Sequence, residues 1–117
     1  QWGETKIKTL VGCGLKHEQV IFDPGIGFGK TAAQSFEILS RASELKAWGV
    51  PLFIGHSRKS FLREVDAPAN AADRDIETAA LTCHLANHNV GFIRVHSIAS
   101  NVRALRTSLR SQESTLW

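Results

Sequence analysis

Three short stretches hold most of the side chains capable of chemistry: Asp23-Pro24-Gly25-Ile26-Gly27-Phe28-Gly29-Lys30, His56-Ser57-Arg58-Lys59-Ser60 and Arg94-Val95-His96. Asp23 stands before a proline and a run of glycines that lets a ligand approach the backbone closely. A carboxylate placed there can accept two hydrogen bonds from a planar, amidine-like edge, or it can form an Asx-turn with the loop that follows. In the second stretch Lys59 offers a point charge with rotatable donors. Ser60 adds a hydroxyl beside backbone N–H groups where a helix can begin, a combination suited to a carboxylate. Taken alone, Ser57 to Ser60 reads more readily as a solvated basic turn. Arg94, between Ile93 and Val95 at the end of an apolar run, needs an anion or an aromatic plane as partner if it is buried. His96 should project to the same side as Arg94 while the strand persists, and such an Arg-x-His pair suits phosphate. His17, His84 and His88 have no comparable setting and read as surface or packing residues.

Glycine-rich turns between strand and helix often cradle phosphates, so two motifs compete for the first loop. Gly29-Lys30-Thr31 supplies the end of a P-loop, but Pro24 occupies the place of its first glycine. Gly27, Gly29 and Ala32 satisfy the G-x-G-x-x-A form of a dinucleotide fingerprint. The next strand ends in Gly55 without an acidic residue for a ribose, although Arg58 or Lys59 could accept a 2′-phosphate. An NADP-binding reading therefore stays open.

Recurring elements must position these loops. Ile7, Leu10 and Val11 predict a short helix from Glu4 to Gly14, followed by a strand over Gln19 to Phe22 that opens into the Asp23 loop. Thr31 and Gln34 have capping-box spacing, and Phe36, Leu39, Ala42, Leu45 and Trp48 trace one helix face that stops at Gly49. Val50 to Ile54 reads as a second strand. Asp66 to Asp73 reads as an irregular connection, and a helix from about Asp75 to Ala86 should turn Ile76, Ala79, Ala80 and Cys83 inward. Gly91 to Val95 is the third expected strand, with Ser100 as N-cap of a closing helix marked by Val102, Leu105 and Leu109. Residues 111–117 show no pattern and are expected to form a flexible tail. Strand, loop and helix thus recur as βαβ units, an α/β fold whose parallel sheet presents ligands at the carboxyl ends of its strands.

The chain has 117 residues, 43% of them hydrophobic and 21% charged, which suits one compact core. A net charge of +3 is spread along the chain, favouring a small anion over nucleic acid. Cys13 and Cys83 lack metal-ligand spacing and are read as reduced and half-buried. No apolar stretch approaches the ~20 residues of a membrane span and no signal peptide is evident, so a cytoplasmic location is expected. With no methionine and Gln1 first, the sequence is expected to be a piece of a larger protein.

In order and spacing, the three stretches resemble the late signatures of dihydropteroate synthases, and the likeness runs from the first helix to the last. The resemblance implies a (β/α)₈ barrel of which this chain is the C-terminal portion, about three βα units preceded by a helix. It implies that Asp23 and Lys59 bind the pterin ring, that Gly27 and Gly55 join the substrate-contacting set, and that Arg94 packs against the ring. His96 would help to hold pyrophosphate, while Phe28 and Ser60 would contact p-aminobenzoate. Lys59, Arg94 and His96 become the catalytic candidates. The implied reaction joins 6-hydroxymethyl-7,8-dihydropterin pyrophosphate to p-aminobenzoate in folate biosynthesis, the step that sulfonamides target. Mg²⁺ is the implied cofactor, with its ligands and further pterin contacts expected in an N-terminal part outside this sequence, and a homodimer is expected at full length. The sequence departs from the family pattern at Ser97 for aspartate, Glu77 for glycine and the turn Asn87-His88-Asn89. A pterin-binding domain of a corrinoid-dependent methyltransferase has no need of the Ser-Arg-Lys-Ser segment, whereas the Ser97 and Glu77 departures are compatible with a degenerate, non-catalytic protein that retains only the fold and pterin binding.

Overall fold

The structure, a computed structural model, describes residues 2–113. A first helix, α1 (Trp2–Gly12), leads through a single 3₁₀ turn at His17–Gln19 to the extended segment around Phe22. Gly3 is buried where α1 crosses a T-shaped Phe22–Trp48 pair whose centroids are 4.9 Å apart. A Cβ there would fall 2.6 Å from the Trp48 ring, so the crossing requires glycine. Ile7, Val20 and Val50 complete this small apolar cluster.

The expected capping box forms. Thr31 Oγ1 accepts the Gln34 N–H at 3.2 Å and Gln34 Oε1 accepts the Thr31 N–H at 2.9 Å, opening α2 (Ala32–Ser40). The single long helix expected to follow is interrupted at Arg41. Ser40 Oγ donates to the Glu37 carbonyl at 2.8 Å, competing with the helical ladder there. The path resumes as α3 (Ala42–Leu45) and a 3₁₀ turn at Lys46–Trp48, then stops at Gly49 in the left-handed region at φ 75°. Leu39 and Ala42 are buried and Phe36, Leu45 and Trp48 half-buried, so the inward face is the expected one.

The expected strands are realised as short pairings. β1 (Phe53–Ile54) pairs in parallel with β2 (Phe92–Ile93), Phe53 opposite Phe92, and Phe22 forms a parallel bridge to Leu52. The three extended segments therefore lie side by side in chain order. Among the described residues nothing pairs with the outer edge of β2, and Ile21 and Phe92 are exposed. A ladder flanked on one side only is marginal, which accounts for strands shorter than the apolar runs suggest. Beneath β1 the main core gathers Ile26, Leu39, Leu52, Ile54, Phe61, Leu62 and Leu85.

The largest departure from expectation concerns α4 (Asp75–Asn87). Ile76 is 80% exposed and Ala80 is exposed, while Ala79 and Cys83 are half-buried. The buried residues are Thr78, Thr82 and Leu85. Hydrophobic periodicity pointed to the wrong face because the inward face is polar and satisfies groups from the neighbouring loop. Cys13 is exposed and Cys83 half-buried, both free thiols, so the reading of both as half-buried fails for Cys13. The closing helix, α5 (Ile98–Gln112), starts earlier than expected, with Ser97 rather than Ser100 at the N-cap. Asn101 Nδ2 donates to the Ser97 carbonyl at 2.7 Å and the Asn101 N–H to the same oxygen at 3.2 Å, closing the first turn. Helix also extends through Ser111 and Gln112, where a flexible tail was expected, and Gln112 Nε2 donates to Asn87 Oδ1 at 2.9 Å. Residues 114–117 lie outside the described residues. No helix among the described residues is long and apolar enough to cross a membrane.

Candidate functional site

The parallel order of the three extended segments brings the loops after them to one end of the sheet. The first two loops interlock. Lys59 reaches across so that its Nζ donates to the Ile26 carbonyl and lies 4.1 Å from the centroid of the exposed Phe28 ring. Its stem passes directly over Gly27, where a Cβ would meet Lys59 Cδ at 2.9 Å and the backbone holds φ 75°. Glycine is thus required at position 27 by both space and conformation. From the other side Lys30 Nζ donates to the carbonyls of Gly25 at 2.9 Å and Phe28 at 3.2 Å, tying the glycine loop into a closed turn. At Gly55, by contrast, a Cβ would meet only the Phe53 ring at 3.9 Å, so no neighbour in the chain demands glycine there.

Asp23 realises the Asx-turn, with Oδ1 accepting the Gly25 N–H at 2.8 Å, and this same bond presents its exposed carboxylate at the mouth of the loop. Partial burial pushes the Lys59 ammonium below the ordinary lysine range; the nearby Asp23 charge opposes the shift, and those of Arg94 and Lys30 add to it. Asp23, Lys30, Lys59 and Arg94 therefore share one electrostatic neighbourhood. Ser60 is exposed and opens a 3₁₀ helix, Ser60–Val65, behind Lys59 as N-cap, the helical start expected after the basic segment.

Arg94 is exposed, so the condition under which the sequence demanded a partner for it is not met. Its strand ends at Ile93, its N–H donates to the Ile54 carbonyl at 3.0 Å, and its guanidinium is exposed with no hydrogen bond or ion pair among the described residues. His96 likewise lies beyond the strand, and the partner that orients it is Ser57, with Ser57 Oγ 2.8 Å from His96 Nδ1. Arg58, the residue available for a 2′-phosphate in the NADP reading, is committed to Asp75 through a bidentate pair at 2.7 and 2.8 Å. That pairing holds the Asp75 carboxyl below its usual range. A concavity along α2 and α3, lined by Lys30, Gln34, Arg41 and Trp48 among others, contains neither Asp23, Lys59, Arg94 nor His96.

Several residues that shape the site have no individual role in the sequence reading. Arg74 is 5% exposed and donates to the carbonyls of Pro68 at 2.7 Å, Arg58 at 2.9 Å and Ala69. Thr78 Oγ1 accepts the Arg58 N–H at 3.1 Å, which helps to hold Arg58 in the left-handed region at φ 58°. His56 is fully buried, with Nε2 3.1 Å from the Thr78 carbonyl and 3.0 Å from Thr82 Oγ1. Thr82 gives its one hydroxyl hydrogen to Asn101 Oδ1 at 2.6 Å, so His56 must donate from Nε2, leaving Nδ1 bare and buried, with no partner among the described residues. The legible trace of this arrangement was the spacing Arg74, Thr78, Thr82, Leu85, one helical face carrying polar groups where a core face was expected.

Burial, more than the neighbouring Lys59 charge, pushes the His56 imidazole below its ordinary pKa, against a raising contribution from the bond to Thr78. The folded state then binds this proton less readily than the unfolded one, so the contribution is fully present above the unfolded imidazole value of about 6.5 and shrinks as pH falls below it. We expect the urea midpoint of the chain to drop between pH 7.5 and pH 5.5, with a shallower drop in His56→Asn. Equal slopes in the two proteins would contradict a neutral, buried His56. The Arg58–Asp75 pair titrates in a separate window, below the ordinary aspartate value of 3.8.

A family model described as pterin binding enzyme matches residues 1–96. A folate synthesis bifunctional protein of Chlamydia caviae is 40% identical over 104 residues, which cover 89% of this chain and 23% of that protein. Among solved structures, dihydropteroate synthase from Anaplasma phagocytophilum with bound 6-hydroxymethylpterin-monophosphate superimposes with a TM-score of 0.82 at 34% identity, over 92% of this chain and 41% of that one. The Xanthomonas albilineans dihydropteroate synthase in complex with 7,8-dihydropteroate gives 0.87 at 28% identity, over 93% and 42%. The chain therefore spans under half the length of these relatives, and its glycine loop, its Lys59 loop and its Arg94-Val95-His96 segment all fall within the matched residues. This chain belongs to the pterin-binding enzyme family.

Proposed function

We propose that this chain forms the C-terminal portion of a dihydropteroate synthase barrel, about three βα units preceded by a helix, and supplies one side of its active site. The observation that carries the reading is the interlock of the first two loops, which lays Lys59 against the Phe28 ring and the Ile26 carbonyl, near enough to Asp23 and Arg94 for both charges to act on it. On this reading the Asp23 carboxylate accepts the 2-amino and ring N–H groups of the pterin, and Lys59 donates to the ring's acceptors. Arg94 covers one face of the ring, while Gly27 and Gly55 leave room for it. Phe28 packs against p-aminobenzoate, whose carboxylate meets Ser60 and the adjoining amides.

The reaction breaks the bond between the exocyclic carbon and the pyrophosphate oxygen and forms a bond from that carbon to the amine nitrogen, which then loses a proton to solvent. Stabilising the departing anion is the main demand, and Arg94 and His96 carry donors toward it. The aromatic amine is a weak base and needs positioning more than deprotonation. Mg²⁺, which the family resemblance implies, would take its ligands outside this chain. Among the described residues no group of three His, Cys, Asp or Glu side chains converges, so these residues do not fit a resident metal and no step is assigned to one. The homodimer expected of the full-length protein belongs to the same proposal.

The test joins this chain to the N-terminal part of a dihydropteroate synthase and titrates it with 6-hydroxymethylpterin. Asp23→Ala should weaken pterin affinity roughly 10- to 100-fold, the cost of losing hydrogen bonds to a charged acceptor. Unchanged affinity would overturn the assignment of the pterin edge to Asp23.

A further inference from the structure

We propose that Ser57 is the positioning residue for His96, locking its imidazole in the tautomer that carries hydrogen on Nε2 and so aiming a donor at the leaving pyrophosphate. The hydrogen bonds leave one consistent arrangement. The His96 backbone N–H can only donate, and it donates to Ser57 Oγ at 3.1 Å. The Ser57 hydroxyl has a single hydrogen, its side chain is buried, and its other partner among the described residues is His96 Nδ1 at 2.8 Å. If Nδ1 carried a hydrogen, Ser57 Oγ would receive two donors and its own hydrogen would be left buried without an acceptor, at appreciable cost. With Nδ1 as acceptor every group is satisfied. The hydrogen of the neutral ring then resides on Nε2, which makes no hydrogen bond among the described residues, on an exposed side chain.

The serine can set a tautomer only if it is itself fixed, and the residues on both sides of it are. His56 is held by Thr78 and Thr82, and Arg58 by Thr78, Asp75 and Arg74. The polar face of α4 thus anchors the arm from which Ser57 reaches the third loop. That the donor meets pyrophosphate rests on the function proposed above; the tautomer does not.

The test is ¹⁵N NMR of the ligand-free chain labelled at histidine, at a pH well above the ordinary imidazole range. His96 should show a pyridine-like Nδ1 and a pyrrole-like Nε2, and a protonated Nδ1 in the wild-type chain would overturn the proposal without any variant. Ser57→Ala should give averaged shifts from a mixture of tautomers and Ser57→Thr should restore the wild-type pattern. Shifts unchanged in Ser57→Ala would also overturn it. Pyrophosphate binding to the chain joined to the N-terminal part of a dihydropteroate synthase should weaken about tenfold in Ser57→Ala and recover in Ser57→Thr. Equal affinity in wild type and Ser57→Ala would overturn the positioning role. A wild-type joined protein that ignores pyrophosphate would count against the functional reading instead, and the ligand-free shifts separate the two failures.

Discussion

Arg74→Ala is expected to lower the stability of the chain by about 3 kcal/mol, because it strands three backbone carbonyls that one buried guanidinium now satisfies. Those carbonyls belong to Pro68, Ala69 and Arg58, so a single side chain ties the 66–73 connection to the loop that carries Lys59. Arg58 holds a left-handed backbone at φ 58°, unfavourable for a residue with a Cβ, and stays there because its carbonyl, its N–H and its side chain are each held by α4 or the residue before it. Urea unfolding should show a lower midpoint with an unchanged slope. Arg74→Lys should recover only part of the loss, since an ammonium cannot reproduce the planar fork. A loss under about 1 kcal/mol in the alanine variant would place Arg74 among surface residues, against its burial.

Lys59→Ala should have the largest effect on activity, a fall of about 10³-fold in turnover by the chain joined to the N-terminal part of a dihydropteroate synthase, on the scale of losing one preorganised donor. The ammonium lies beside the Phe28 ring and the Ile26 carbonyl, and the Asp23 and Arg94 charges both act on it, so its removal empties the centre of the proposed pterin site rather than its rim. Lys59→Arg should restore little, because a flat guanidinium fork does not reproduce the compact ammonium that Lys59 places against the Ile26 carbonyl and the Phe28 ring. Turnover and pterin affinity should fall together. A Lys59→Ala protein that keeps wild-type turnover would remove this residue from the machinery.

The loops, their order and their place at one end of a parallel sheet were legible in the sequence, because each apolar run ends abruptly in polar or glycine-rich residues. The capping box at Thr31 and Gln34 and the glycine stop at Gly49 were legible for the same reason: both are local rules that need no partner from elsewhere in the chain. The orientation of α4 was not. Thr78 and Thr82 are buried because His56, Arg58 and Asn101 need them, and such demand arises only once distant segments meet. Ser57 and Arg74 escaped notice for that reason too: the sequence marks Ser57 only as part of a basic turn and assigns Arg74 no role. For Arg94 the flanking apolar residues raised burial only as a condition, and the structure resolves it: the strand ends before Arg94 and the residue is exposed. In this chain the side chains proposed to meet a ligand are suggested by type and spacing, whereas those that hold their loops in place are not.

The most direct measurement is pyrophosphate release from 6-hydroxymethyl-7,8-dihydropterin pyrophosphate by the joined protein, with and without p-aminobenzoate. We expect release that requires the amine and yields dihydropteroate in equal amount. A folded joined protein that binds the pterin but releases no pyrophosphate, or releases it without regard to the amine, would contradict the claim that these loops form the working half of a dihydropteroate synthase site.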